Sequence, residues 1–232
     1  MSRMRRDDLF TPPPAWTRGA FLARVVSLDD PEGRQRVQVE LLAFAGSDTQ
    51  DARPWARVVA PFAGDDRGMF CLPDVDDEVL VVFVQGDPRF PLIVGGLWNG
   101  AAAPPAEIES GGVNRYKRIR SKQGITVTLD DQQGQETLTL ETPGGCRLTL
   151  KDGPGTVTLE DSNGNSIELA SAGITVQASA KVTVNASTVN VSAGMVSVDA
   201  GMSTFSGVVK CDTLITNAVV STSYTPGAGN VW

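Results

Sequence analysis

The chain has 232 residues, 41% hydrophobic and 20% charged, with a formal net charge of −7 and no histidine. That length holds one large or two modest domains. The missing histidine removes the commonest metal ligand and general base, and the acidic balance disfavours a nucleic-acid partner, whose phosphates need a clustered basic face.

The charge is unevenly spread. Residues 1–120 hold 15 Lys/Arg against 17 Asp/Glu, and residues 121–232 hold 5 against 10. Beyond Gln177 only Lys181, Asp199, Lys210 and Asp212 are charged, in a tail rich in Val, Thr, Ser and Ala. Disordered tails usually carry more charge or proline, so this one is expected to be ordered. No stretch reaches the roughly 20 apolar residues of a membrane-crossing helix. Arg3, Arg5 and Arg6 are followed by Asp7 and Asp8 rather than an apolar core, so no secretory signal is read, and assembly is expected in the cytoplasm before any export. The three cysteines, Cys71, Cys146 and Cys211, are far apart and read as reduced, packed thiols.

Residues 1–16 read as an arm, in which Pro12–Pro14 enforce an extended backbone and Trp16 offers an apolar anchor. Residues 17–100 read as a small closed β-barrel. Strands are expected at 21–26, at 36–41 with Val37, Val39 and Leu41 on one face, and at 56–60. Residues 64–68 read as a loop and 69–72 as a short strand stopped by Pro73. The most apolar run, 78–84, reads as a central strand, and 91–94 starts the last one. Five or six short strands without a helical pattern suit such a barrel. Residues 101–120 read as a linker and junction: tandem proline and alanine build no core, and the basic run 115–120 is either a solvated junction or an anion site.

From Gly124 the sequence is periodic. Apolar pairs separated by one polar residue recur as Val127/Leu129, Leu138/Leu140, Leu148/Leu150, Val157/Leu159, Ile167/Leu169, Ile174/Val176, Val182/Val184, Val189/Val191 and Val196/Val198. Their spacing falls from 9–11 residues in the early units to 7 in the last ones. A fixed period implies stacked like units. Two apolar residues per rung make a stripe too thin to offset the ordering entropy of one chain alone. Three chains supply three faces around a shared core, so residues 121–221 are expected to form a needle, an intertwined trimeric β-helix. Val127, Leu129, Leu138, Leu140, Leu148, Leu150, Val182, Val184, Val189, Val191, Val196 and Val198 are its expected trimer core. An antiparallel meander or a single-chain solenoid is the alternative.

Residues 17–100 resemble the OB-fold barrel of phage baseplate assembly protein V and of the VgrG spike of type VI secretion. The resemblance runs through Gly19–Val25, Asp30–Val39 and Trp55–Val58. It is strongest over Ala63–Phe83 and continues through Gly86–Gly100. Residues 117–131 resemble the entry into the same family's β-helix. The resemblance implies an all-β fold, OB barrel then triangular β-helix, in a homotrimeric spike at the centre of a contractile baseplate. It implies a spike that sits on a hub and is driven through the target membrane. With about 16 residues ahead of the barrel, the hub is expected to be a separate polypeptide. The iron-holding His-x-His apex of some phage spikes is excluded by the absence of histidine. The ending Ser223–Trp232 resembles spikes capped by a PAAR-type tip protein. Tyr224, Pro226, Gly227, Gly229, Asn230 and Trp232 are the expected docking residues, within an end of 222–232; the alternative is that they simply close the rod.

No catalytic group, metal or cofactor is expected. The acidic pairs Asp29/Asp30, Asp65/Asp66 and Asp76/Asp77 lie in turns beside glycine or proline rather than across a cleft. Two rival functions are a trimeric tail spike acting on surface carbohydrate and an OB-fold nucleic-acid binder. The first lacks aromatic platforms, since Phe205, Tyr224 and Trp232 are the only aromatics after residue 121. The second lacks a basic groove.

Overall fold

Alternation of apolar and polar residues in short, turn-bounded runs determines the first half of the chain. In the computed structural model, which describes residues 19–44 and 53–223, five strands close into a barrel. They are β1 (Ala20–Ser27), β2 (Val37–Leu41), β3 (Trp55–Val58), β6 (Glu78–Phe83) and β7 (Pro91–Leu97), in the order β1-β2-β3-β7-β6. All neighbours are antiparallel except β3 and β7, which are parallel. Inward positions follow the period of two. Val37, Val39 and Leu41 of β2 meet Val79, Val81 and Phe83 of β6, with Ala23 and Val25 of β1, Ala56 of β3 and Ile93 of β7. Phe21 packs edge-on against Phe83, with centroids 5.5 Å apart.

Closing so few strands demands sharp bending. The register slips between Val25 and Ser27 of β1 and between Leu80 and Val81 of β6, where the partners pass from Gly95 to Ile93 and Val94 is the extra residue. The β1–β2 corner is tied by Asp30, whose carboxylate accepts the backbone N–H groups of Glu32, Arg34 and Arg36 and two bonds from the Arg36 guanidinium, the shortest at 2.7 Å. The Arg36 guanidinium, then those N–H groups, hold the Asp30 carboxyl far below the usual carboxylate range.

Two expectations in this half need correction. Residues 64–68 are not a plain loop but a tight hairpin, β4 (Ala63–Gly64) with β5 (Arg67–Gly68). A side chain at Gly68 would meet the carbonyl oxygen of Phe62 at 2.9 Å on a backbone of φ +149°, so the hairpin requires glycine there. Residues 69–72 form no strand; Met69 only closes the hairpin by donating its N–H to the Phe62 carbonyl.

The second half is a seven-stranded antiparallel meander: β8 (Tyr116–Arg120), β9 (Thr126–Asp130), β10 (Thr137–Glu141), β11 (Arg147–Lys151), β12 (Thr156–Glu160), β13 (Ser166–Ala170) and β14 (Gly173–Gln177), each paired only with its chain neighbours. Tyr116–Arg120, read from sequence as part of the junction, is therefore the sheet's first strand. Among the described residues none beyond Gln177 belongs to a strand, and the segment from Val182 onward is a unit of its own. None of the cysteines is packed: Cys71, Cys146 and Cys211 are all exposed.

Ile93 is 1% exposed inside the barrel, whereas Val94 beside it is 48% exposed. Ile93→Ala is expected to lower unfolding stability by about 2–5 kcal/mol, and Val94→Ala by no more than about 0.5 kcal/mol, in denaturant titrations of the barrel signal.

Candidate assembly face

The meander's register aligns its apolar pairs into two columns. One runs Ile119, Val127, Leu140, Leu148, Leu159, Ile167, Val176; the other runs Lys117, Leu129, Leu138, Leu150, Val157, Leu169, Ile174. Because side chains alternate across a strand, both columns share one sheet face. The opposite face carries a polar column of Arg118, Thr128, Thr139, Thr149, Thr158, Glu168 and Thr175. Beside it Arg147 pairs with Glu141 at 2.6 Å and Glu160 at 3.4 Å.

Hairpin turns hold this register. At the β12–β13 turn the Asp161 carboxylate accepts the backbone N–H groups of Asn163 (2.8 Å) and Asn165 (3.0 Å) and both asparagine amides. Bonding from Asn165, then Asn163, lowers the Asp161 pKa from 3.8 to about 2. At the head of the sheet the basic run is held within the chain. Arg115 binds Asp130 (Nη2–Oδ2 2.6 Å) and pairs with Glu109 at 3.4 Å, and Arg115 and Arg118 stack on Tyr116. Lys122 reaches Asp74 of the barrel at 3.1 Å.

Among the described residues nothing covers the apolar face. No meander residue is buried; Leu159 is 50% exposed and Ile174 71%. The expected core residues Val127, Leu129, Leu138, Leu140, Leu148 and Leu150 thus lie together on one face, as the sequence period requires. Val182, Val184, Val189, Val191, Val196 and Val198 lie in no strand and are all exposed. The expected docking residues Tyr224, Pro226, Gly227, Gly229, Asn230 and Trp232 lie outside the described residues. Sequence reasoning missed Ile119 and Lys117 as column heads; the signal was the alternation in Tyr116–Arg120, masked by its basic neighbours. Among the described residues no group of three or more His, Cys, Asp or Glu could hold a metal.

A closed barrel followed by a one-sided strand stack without its own cover defines a β-structured assembly subunit. Residues 21–98 match the model of the type VI secretion system/phage-baseplate injector OB domain, and residues 137–202 match that of the phage baseplate V C-terminal trimerisation domain. The chain belongs to the phage baseplate V/VgrG-type spike family. Among its relatives are the type VI secretion system spike proteins VgrG1a (31% identical over 36% of this chain) and VgrG4b (32% over 47%) of Pseudomonas aeruginosa. Another is the actin cross-linking toxin VgrG1 of Vibrio cholerae, 27% identical over 53% of this chain. The chain spans 12–14% of the length of these relatives.

A depressed carboxyl contributes stability above its unfolded pKa and loses it as pH falls through the folded one. The Asp161 turn should therefore weaken between about pH 4 and about pH 2. Asp161→Asn is expected to flatten that part of the acid dependence and to leave melting at pH 3 closer to melting at pH 7; circular dichroism melts across this range check it.

Proposed function

We propose that this chain is the structural central spike of a contractile injection baseplate, working as a homotrimer whose needle is pushed through the target membrane ahead of a tube. The observation that carries this reading is the pair of uncovered apolar columns, overlapping the region matched by the trimerisation domain. Burying a Val or Leu side chain is worth about 1.5–3 kcal/mol, so two columns left in water are a large unmet driving force. Three copies packing these faces against one another around an axis would satisfy it. Val127, Leu129, Leu138, Leu140, Leu148 and Leu150 would then face that axis, and the Thr column would face solvent.

In this role the protein catalyses nothing and transmits compressive load. The barrel would seat on a separate hub protein, and the end of the needle, residues 222–232, would dock a PAAR-type tip protein through Tyr224, Pro226, Gly227, Gly229, Asn230 and Trp232. Support for a mechanical role lies in the construction: a closed barrel without sheet edges, and a sheet whose first turn is paired with the barrel through Lys122 and Asp74. The setting is a phage tail or a related secretion particle, as for the family.

Light scattering on the purified chain is expected to give three times the 24.5 kDa of one chain. Leu150→Asp places a carboxylate on the apolar face, where desolvation costs several kcal/mol. It should reduce the mass to that of a monomer while the barrel's near-ultraviolet signal persists; a wild-type monomer would defeat the proposal. Deleting residues 222–232 should abolish binding of a recombinant PAAR protein and leave the trimer intact, whereas undiminished binding would remove the docking assignment.

A further inference from the structure

The outside of the barrel carries a groove across β3 and β7. It encloses about 350 Å3 between Trp55 of β3, Leu92 of β7 and Phe90 just ahead of β7, with Arg34, Arg36, Arg57 and Arg89 around it. Phe90 is 54% exposed, and Arg57 is exposed as well. OB folds take single-stranded nucleic acid on this face, on the second and third strands and the loops beside them. The charges here argue against that ligand. Arg36 is held by Asp30, Arg34 by Glu32 and Arg89 by Asp87. Among the described residues Arg57 alone of the four has no ion pair. One free cation is too little for a phosphate backbone. It suits an apolar peptide that brings a carboxylate.

The barrel's register brings such a peptide to the groove from its own chain. Ala20 of β1 pairs with Val82 of β6, Val82 with Leu92 of β7, and Leu92 with Arg57 of β3, so the four stand in one row across the strands. None of them is buried, whereas Val81 and Ile93 beside them are, so the row lies on the outer surface. At about 4.8 Å per strand step, Leu92 is about 10 Å and Arg57 about 15 Å from Ala20. The arm ahead of Gly19 lies outside the described residues. Its sequence runs Asp7-Asp-Leu-Phe-Thr-Pro-Pro-Pro-Ala-Trp16. At about 3.1 Å per residue in a polyproline helix, Trp16 stands up to about 12 Å and Pro12–Pro14 about 19–25 Å from Ala20, enough to span Leu92 and pass Arg57. Gly19, with φ +103°, takes the chain out of the extended line of β1.

We propose that the N-terminal arm crosses β6 and β7 of its own barrel and docks in this groove, with Trp16 beside Phe90 and Leu92, Pro12–Pro14 on Trp55, and the carboxylates of Asp7 and Asp8 facing Arg57. A polyproline segment is already ordered, so it loses little entropy on entering an aromatic-lined groove. The arm then acts as a strap over the weakest seam of the barrel. β3 has two registered pairs with β2 and two with β7, and its β7 seam is parallel, the less stable pairing. The row lies within one barrel, so this inference does not depend on the trimer.

Thiol protection tests it. In a chain with Cys71, Cys146 and Cys211 replaced by serine, Leu92→Cys puts a thiol on the groove floor. Its labelling by a maleimide is timed in the full chain and in the same chain starting at residue 19. Docking predicts labelling about tenfold slower or more with the arm present, the protection of a contact closed roughly nine-tenths of the time. Adding Trp16→Ala should restore the fast rate. Equal rates with and without the arm overturn the inference and leave the groove to a separate partner. The shortened thiol chain is also co-expressed with a full chain that lacks the thiol. Slow labelling restored there assigns the groove to a neighbour's arm and likewise overturns the inference. Light scattering on the same samples reports the oligomer separately. If Leu92→Cys lowers the melting temperature of the barrel, Arg57→Cys, exposed in the same row, repeats the measurement.

Discussion

A β-sheet that is apolar on one face and polar on the other cannot stand alone in water. Hydrogen bonding does not remove this constraint: every meander strand from β9 to β13 has a ladder on both sides, yet the columns led by Ile119 and Lys117 remain open to solvent. A stable domain needs at least two packed layers, and this sheet supplies one. Nothing among the described residues supplies the missing layer. The match of residues 137–202 to a trimerisation domain fits further copies of the same chain as its source.

The barrel is under no such constraint, and the contrast divides the molecule's labour. Its five strands close on themselves, its core of Val25, Val39, Val79, Val81 and Ile93 is almost fully buried, and its corners are tied by carboxylates such as Asp30 and Asp87. It is a self-sufficient fold attached to an assembly-dependent one. The attachment is specific: Arg118 donates to the Pro105 carbonyl at 2.9 Å, and Lys122 pairs with Asp74. Arg118 of the first strand is thereby held to the linker, and the turn that follows the strand is paired with the barrel.

Much of this was legible in the sequence, because both halves are built on period two. Val37, Val39 and Leu41 announced an inward face, and the recurring pairs from Val127 announced the columns. What escaped was set by contacts outside the local pattern. The strand expected at 69–72 has suitable side chains but no neighbour to pair with. Tyr116–Arg120 looked like a solvated basic junction because its cations meet partners distant in sequence, Lys117 pairing with Asp131 and Arg118 donating to Thr128. The cysteines looked packed because free thiols usually are, whereas Cys146 falls in a hairpin turn. The stack itself is an in-chain meander as far as β14, a choice made by its turn glycines rather than by its apolar pairs.

The charge pattern along the needle follows from the work proposed for it. Pushing a surface into a lipid layer strips water from its polar groups. For a hydroxyl that finds no partner this costs about 2–7 kcal/mol, and for an ion far more. The meander carries charged side chains on its polar face, among them Arg147, Glu141 and Glu160. Beyond Gln177 the charges shrink to four, and the residues between the valines are Thr183, Asn190 and Ser197. Such side chains keep the rod wettable before firing and are far less costly to dehydrate than carboxylates or ammonium groups. A needle built to remain in water would gain solubility from more charge. Its scarcity toward the C-terminal end favours a surface meant to leave water, and it counts against a rod whose task is only to hold three barrels together.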